Sequence, residues 1–420
     1  MVHSYGIFFS ITANHLCSYT NTIPTTTTTS TTALLHHSSS LKFHYKRSFG
    51  SSSSLLGPVT RNQAIQSDSY SLRQLKYNSQ TTELACRSWD NLGFNPVSTD
   101  YMYTMKCSEE GGFSDGGLQP FQSIQLVPSA CVLNYGQAVI EDLKAYKKQD
   151  DSILLFRPEE YGLCMRIGAD RLCMPALTIE QFVEAVKVTV LANRRWIPPP
   201  DKGFLHIRPL LMGSGAVLGV KSAHEFTFLI YVTPVGNYFV EGMKPINLVV
   251  ENEFHRATSG GVGNVKAISN YASNLKAQAA AKANGFYDVL YLDTVHSRYL
   301  EETSTANIFI VKDKRISTPV LGGTIQPGIT RKSIIDIARS QGFQIEERLV
   351  SIEELFDADE VFCVGDSVCL LPVCSITYLD KRVSYKEKGT SAVSQQLYLA
   401  LTGIQMGLTE DKMGWTVVLK

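Results

Sequence analysis

The order of the short strands and helices is the sequence feature that most constrains the fold. Runs of β-branched, aromatic and leucine residues are typical of strands, and they occur at 205–211, 226–232, 246–250, 289–292, 308–311 and 360–364. Apolar residues at helical spacing indicate helices at 179–195, 274–283 and 330–340. Few of these elements follow one another as strand–helix–strand units. The pattern therefore predicts an α+β fold without a doubly wound Rossmann sheet.

The region before the first long helix is less regular. Residues 124–127 and 153–157 carry strand-like patterns. The segment 141–148 contains three lysines, and we expect it to form an exposed connection, because lysine is mostly a surface residue.

Composition shifts divide the chain into four parts. We expect a leader at 1–85, a small α/β domain at 86–235, a linker at 236–244 and a large domain at 245–420. Ligand sites are common between domains, so we expect a binding site in the cleft between these two.

The leader has an unusual composition. Its first 67 residues contain no Asp or Glu, many Ser and Thr, and a few basic residues. Such a segment cannot bury enough apolar surface to fold alone, and it is typical of an organelle transit peptide. A disordered tail or a wrongly assigned start is the alternative. The high Ser and Thr content with few arginines favours the chloroplast over the mitochondrion.

The overall composition gives no support for nucleic-acid binding, a membrane span, a structural zinc site or a redox dithiol. With 39 basic and 39 acidic residues the formal net charge is zero, which gives no reason to expect a nucleic-acid partner. No apolar run reaches the ~18–20 residues of a membrane span. The nine cysteines include no Cys-x-x-Cys pair, so neither a structural zinc site nor a redox dithiol is expected.

A glycine-rich turn leads into a single lysine in Thr258–Tyr271, where Lys266 lies between Val265 and Ala267. Most lysines are solvated, but the apolar neighbours of Lys266 are expected to exclude water from its amine. Desolvation lowers the pKa of an amine and makes it a better nucleophile. Lys266 is therefore our candidate for a Schiff-base lysine.

Two later segments supply what such a lysine needs in a pyridoxal phosphate enzyme. Glu302 ends a turn that runs into a strand, and it is either a capping charge or a carboxylate for the pyridine nitrogen. The turn at 327–331 opens a helix, and it is either an ordinary helix start or a phosphate seat made of backbone N–H groups. The order of the three segments favours the functional interpretation.

Together these segments resemble the branched-chain amino acid aminotransferases of plant organelles, which belong to the fold-type-IV pyridoxal phosphate enzymes. The resemblance extends from Trp89 to Lys420. The segments that carry it are 89–94, 132–137, 208–215, 258–271, 298–302, 327–331 and 415–417. It implies a two-domain fold, a homodimer, pyridoxal 5′-phosphate as cofactor, and amino acids and 2-oxo acids as substrates.

The resemblance also implies the roles of residues around the cofactor. Lys266 would form the Schiff base and then move a proton between Cα and C4′. Glu302 would hold the pyridine nitrogen, and Tyr271 would lie near the phenolic oxygen. The backbone N–H groups of Ile329 and Thr330 would bind the phosphate.

Further roles implied by the resemblance concern the substrate. The residues expected around its carboxylate are Tyr135, Thr305 and Ser367. The residues expected to wall its side-chain pocket are Phe94, Ile140 and Tyr238. Arg208 would help to receive the second carboxylate of glutamate.

The sequence departs from the family pattern at the phosphate. Cys164 stands where the family has an arginine, and Asp366 stands where it has a threonine. A lost charge-assisted hydrogen bond costs ~1.5–3 kcal/mol, and like charges ~4 Å apart cost a further ~4 kcal/mol at an effective dielectric near 20. We therefore expect weakened cofactor binding.

Departures also occur in the substrate pocket. Ile140 replaces a phenylalanine, Asp142 replaces a glycine and His206 replaces a tyrosine. A charged residue in place of glycine is expected to strain the backbone or to crowd the pocket.

Two interpretations follow. The first is a pyridoxal phosphate-dependent transaminase that exchanges amino groups between leucine, isoleucine or valine and 2-oxoglutarate. The second is a catalytically impaired homologue that acts as a dimerisation or regulatory partner. The presence of Lys266, Tyr271 and Glu302 favours the first. Another fold-type-IV activity, D-amino acid transamination or aminodeoxychorismate lysis, is disfavoured by the segment at Arg208 and by the carboxyl end.

Overall fold

The computed structural model describes residues 89–108, 112–236, 244–385 and 392–420, which belong to a single structural unit. The leader expected at 1–85, Tyr238 and most of the expected linker lie outside the described residues. Within the described ranges the chain forms two nine-stranded β-sheets.

The first sheet is antiparallel throughout its described pairs. Its strands from the first half of the chain are β1 (Tyr101–Ser108), β2 (Gly112–Phe113), β3 (Gly117–Pro120), β4 (Ala138–Ile140), β5 (Leu143–Lys147), β6 (Ile153–Phe156), β7 (Gly203–Gly213) and β8 (Glu225–Gly236). The long strands β7 and β8 pair along their whole length and form its centre.

The second sheet is mixed, with parallel pairs at β9–β10, β9–β16 and β13–β14. Its strands are β9 (Ile246–Val250), β10 (Asp288–Leu292), β11 (Leu300–Thr303), β12 (Asn307–Lys312), β13 (Arg315–Pro319), β14 (Gln344–Arg348), β15 (Glu360–Gly365), β16 (Cys369–Tyr378) and β17 (Lys381–Ser384). Because β11 pairs with both β10 and β12, the strands β9, β10, β11, β12, β15 and β16 close into a ring.

The last strand of the chain, β18 (Thr416–Leu419), returns to the first sheet and pairs with β6. The order in that sheet is therefore β18-β6-β5-β7-β8-β1-β2, with β3 on β1 and β4 on β7. Otherwise the two sheets divide the chain between Gly236 and Ile246. The domain boundaries themselves stay a prediction.

Helices cover the sheets: α1 (Cys131–Tyr135), α2 (Pro158–Arg171), α3 (Ile179–Ala192), α4 (Ser269–Ala283), α5 (Ile329–Ser340), α6 (Glu354–Asp357) and α7 (Val393–Gln405). Short 3-10 helices lie at Trp89–Asn91 and Arg194–Trp196. A capping box of Thr178 and Gln181 fixes the start of α3. Among the described residues no helix is long and apolar enough to cross a bilayer.

Strand β12 links the two main hydrophobic cores, because successive side chains of a strand point to opposite faces. Ile308 and Ile310 belong to the core of the ring. Phe309 belongs to the larger core shared with the first sheet, and its ring stacks on Phe362 of β15 at 5.1 Å. This shared core packs the second sheet against the first.

Two sequence-based expectations are wrong. Residues 124–127 form no strand, since no described strand pairs with them; Ile124 and Val127 are exposed, and only Leu126 packs against a hydrophobic cluster. The segment 141–148 is not an exposed connection, because β5 lies between β6 and β7 and is buried. The aliphatic part of Lys144 is buried, and its ammonium lies over the ring of Phe204, with Nζ 4.6 Å from the ring centroid.

Candidate active site

A cavity of about 580 Å³ lies where strands of the two sheets meet. It is lined by β4 and β7 of the first sheet and by β11, β12 and β15 of the second. Ten residues singled out from the sequence line it: Ile140, Asp142, Arg208, Lys266, Tyr271, Glu302, Thr305, Thr330, Asp366 and Ser367. An adjoining pocket of about 40 Å³ is also lined by Lys266 and Asp366, and it adds Cys164 and Ile329.

The backbone around Lys266 is held against β4. The N–H of Ile140 donates to the carbonyl of Lys266 at 3.1 Å, and the N–H of Ile268 donates to that of Ala138 at 3.1 Å. Asn270 donates from its side chain to the carbonyls of Val262 and Val265 and secures the preceding turn. These bonds fix the direction in which the lysine leaves the backbone.

The ammonium of Lys266 lies among carboxylates. Its Nζ is 2.6 Å from Asp366 Oδ2, 3.3 Å from Glu141 Oε2 and 3.4 Å from Asp142 Oδ2. Burial opposes the charged form, yet these carboxylates together raise the pKa of Lys266 well above its usual value. The expectation of an amine whose pKa is lowered by apolar neighbours is therefore wrong, because residues distant in sequence surround its tip.

Asp142 also pairs with the first sheet. Its Oδ1 is 2.5 Å from Arg208 Nη2 and 3.3 Å from His206 Nε2. Burial opposes ionisation, but Lys266, His206 and Arg208 together hold the pKa of Asp142 well below its usual range. The residue has no positive φ, so the charged side chain in place of glycine crowds the cavity without straining the backbone.

Glu302 also lines the cavity and is 4% exposed. Arg256 Nη2 is 2.6 Å from its Oε1, the backbone N–H of Gln326 donates to the same oxygen at 3.0 Å, and Asn307 donates to Oε2 at 3.0 Å. Burial raises the pKa of Glu302 to about 7, although Arg256 opposes this shift. Such a carboxyl can hold or share a proton with a ring nitrogen.

The N-terminus of α5 supplies the backbone donors expected for a phosphate. Gly328 precedes the helix, and a Cβ there would lie 2.6 Å from Asn307 Oδ1, so only glycine fits. The donors of Thr330 are already engaged: Asp366 Oδ1 accepts from its N–H at 3.3 Å and from its hydroxyl at 2.7 Å.

Cys164 lies at the remaining side of this seat, in the adjoining pocket that Lys266 and Asp366 also line. Cys164 packs against the hydrophobic core, and burial raises the pKa of its thiol, so the side chain is neutral. The residues thus fit the ring and the amine-reactive end of pyridoxal phosphate. At the phosphate end the backbone donors fit, but Asp366 places a carboxylate among them.

Two sequence-derived candidates, Phe94 and Tyr135, are not among the residues that line this cavity. Phe94 is half exposed and its ring lies 6.2 Å from that of His206. Tyr135 is 40% exposed, and its hydroxyl donates to the carbonyl of Leu218 at 2.5 Å. Tyr238 lies outside the described residues. Among the residues that the structure describes, no His, Cys, Asp or Glu cluster could hold a metal ion.

The sequence analysis missed four residues that surround the two central side chains. Glu141 contacts Lys266, while Arg256, Asn307 and Gln326 contact Glu302. The one local signal was that Gln326 directly precedes the Pro-Gly turn of the phosphate seat. Asn307 lies only five residues beyond Glu302, whereas the contacts of Glu141 and Arg256 join residues far apart in the chain, which no local pattern reveals.

Comparisons of the sequence with known proteins identify the family of this chain. The family Amino-transferase class IV matches residues 138–376. The chain is 61% identical to branched-chain-amino-acid aminotransferase 5, chloroplastic, of Arabidopsis thaliana, over 90% of each chain. It is 63% identical to branched-chain amino acid aminotransferase 2, chloroplastic, of Humulus lupulus, over 86% of each.

A solved structure agrees as well. The Escherichia coli branched-chain amino acid aminotransferase superposes with a TM-score of 0.65 at 26% identity, covering 76% of this chain and 99% of that one. Both the sequence and the fold thus lead to one assignment: the chain belongs to the class IV aminotransferases and, among them, to the branched-chain-amino-acid aminotransferases.

Proposed function

We propose that the protein is a pyridoxal phosphate-dependent transaminase that exchanges amino groups between leucine, isoleucine or valine and 2-oxoglutarate. The observation that carries the proposal is that Lys266 and Glu302 line one cavity together with apolar side chains and Arg208. The identity of 61% to a protein named as a branched-chain-amino-acid aminotransferase supports it. The same identity does not favour the alternative of an impaired homologue.

The cofactor of this family supplies an electron sink for the bond broken at the substrate Cα. In this chain Lys266 would be the amine that holds the cofactor and carries a proton to and from that carbon. Glu302 would keep the ring nitrogen protonated, and Arg256, Asn307 and Gln326 hold the Glu302 carboxylate in place.

The apolar part of the cavity suits an aliphatic side chain. Val132, Leu210, Tyr231 and Ile268 pack on one hydrophobic cluster and also line the cavity. Ile140 lies opposite Leu210 in the register of β4 and β7 and extends this surface. Burial of a branched side chain here contributes roughly 1.5–3 kcal/mol to substrate binding.

Transamination by the purified protein tests this proposal. Protein with added pyridoxal phosphate is expected to form glutamate from 2-oxoglutarate with leucine, isoleucine and valine. Lys266→Ala is expected to abolish the reaction, while Lys282→Ala, an exposed lysine on α4, leaves it unchanged. No glutamate from any of the three amino acids would refute the proposal.

We further propose a homodimer. Leu133, Leu218 and Val220 are exposed apolar residues, with Leu218 and Val220 each more than nine-tenths exposed. The hydrogen bond from Tyr135 to Leu218 joins their two segments into one surface, and a second copy of the chain would cover it. Sedimentation of Leu218→Glu/Val220→Glu is expected to show a monomer, and a dimer of unchanged affinity would contradict this interface.

A chloroplast location is proposed from the acid-poor leader and from relatives named as chloroplastic. The mitochondrion is the alternative. Residues 1–85 fused to a fluorescent reporter are expected to direct it into chloroplasts, and a reporter that stays in the cytosol would refute the transit-peptide interpretation.

A further inference from the structure

Asp366 occupies the position where an anion is expected. One carboxylate oxygen accepts from the N–H and the hydroxyl of Thr330, and the other lies 2.6 Å from Lys266 Nζ. The side chain is 6% exposed. A helix N-terminus and an ammonium are the donors that bind anionic oxygens most strongly, and here one residue of the chain uses both.

The three cations Lys266, Arg208 and Arg256 each have a carboxylate partner before any ligand enters. Lys266 pairs with Asp366, Arg208 pairs with Asp142, and Arg256 pairs with Glu302. Cys164 adds no positive charge where the family has an arginine. A phosphate dianion would therefore arrive without an unpaired cation and next to a carboxylate.

We propose that Asp366 is a built-in competitor of the cofactor's phosphate, so that this pocket binds vitamin B6 compounds without the usual preference for the phosphate ester. The proposal rests on the proposed transaminase function for the identity of the ligand. The unphosphorylated 5′-hydroxymethyl group carries no charge, and its O–H can donate to the Asp366 carboxylate. The ring-binding residues Glu302 and Tyr271 treat both forms alike, because the two differ only at the phosphate.

Calorimetric titration with pyridoxamine 5′-phosphate and with pyridoxamine tests this. Neither compound has an aldehyde, so binding is measured without chemistry at Lys266. Asp366→Asn keeps the shape of the side chain and removes its charge. This variant is expected to bind pyridoxamine 5′-phosphate about tenfold to a thousandfold more tightly, the range expected when one like charge at close distance is removed. Pyridoxamine affinity is expected to stay the same or to fall.

A second variant keeps the proposal testable if Asp366→Asn does not fold. Cys164→Arg adds a cation to the same pocket and is expected to tighten only the phosphorylated compound. Asp170→Asn, an exposed aspartate on α2, is the matched control and should change neither affinity. A merely structural role of Asp366 would change both affinities together.

The outcomes separate this inference from the proposed function. If the affinity ratio of the two compounds is unchanged in Asp366→Asn and in Cys164→Arg, Asp366 does not compete with phosphate and the inference is overturned. If the ratio shifts as expected but no variant transaminates branched-chain amino acids, the inference stands and the proposed function fails.

Discussion

Asp142 is expected to block the residue that would receive the second carboxylate of 2-oxoglutarate. Its Oδ1 lies 2.5 Å from Arg208 Nη2, and both side chains line the cavity. The change Asp142→Gly removes the side chain and leaves Arg208 without this partner. Asp142→Asn keeps most of the side-chain volume and removes only the charge.

The structure sets the size of two opposite effects. Removing one partner of a buried ion pair lowers the free energy of unfolding by ~3–5 kcal/mol. Because the side chain of Arg208 is 25% exposed and that of Asp142 is 12% exposed, we expect a loss at the lower end of this range. The freed guanidinium gains a charge-assisted hydrogen bond to the acceptor, ~1.5–3 kcal/mol, which is about ten- to a hundredfold in affinity. The unliganded variant is thus less stable, and it binds the dicarboxylate more tightly.

Steady-state kinetics and thermal unfolding measure both effects. For Asp142→Asn the KM for 2-oxoglutarate is expected to fall, while the KM for leucine changes little. The melting temperature is expected to fall without ligand and to recover on adding 2-oxoglutarate more than in the parent. If the KM for 2-oxoglutarate is unchanged, the pair with Arg208 does not obstruct the acceptor and the reasoning is refuted.

Three further predictions use other parts of the molecule. Burial raises the pKa of Glu141 from 4.5 to about 8. Between these two pH values the folded protein retains a proton that the unfolded chain loses, so the free energy of unfolding falls as the pH rises. Glu141→Gln is expected to flatten the dependence of the melting temperature on pH. Phe309→Ala is expected to lower the free energy of unfolding by ~3–5 kcal/mol, because the ring is fully buried against Phe362; a loss under half of that, measured by urea denaturation, would contradict this packing. Removal of residues 1–80 is expected to leave the melting temperature and kcat unchanged, since both sheets lie within 101–419; an unfolded product would contradict the leader interpretation.

Local patterns were sufficient for much of the fold. The strand expected at 246–250 is β9 without a shift at either end, and the helix expected at 330–340 is α5 with one additional residue at its start. Both segments combine strong periodicity with clear ends. The strand β5 was missed because its lysines suggested exposure, and burial between two neighbouring strands decided its structure. The return of β18 to the first sheet is a long-range pairing that no local pattern encodes.

The candidate site shows the same division. Lys266 and Glu302 were found from their local sequence, and the structure brings both to one cavity. The environment of Lys266 could not be foreseen, since Glu141, Asp142 and Asp366 lie about a hundred residues away or more along the chain. Electrostatic contacts of this kind depend on the three-dimensional fold, and they reversed the expected direction of the pKa shift.

The central claim is that Lys266 is the amine that holds the cofactor. The most direct test is borohydride reduction of the protein with excess pyridoxal phosphate, followed by mass spectrometry of the digested chain. The account predicts the reduced cofactor on Lys266 at a much higher occupancy than on the exposed Lys282. Equal labelling of the two lysines, or labelling of Lys282 alone, would contradict it.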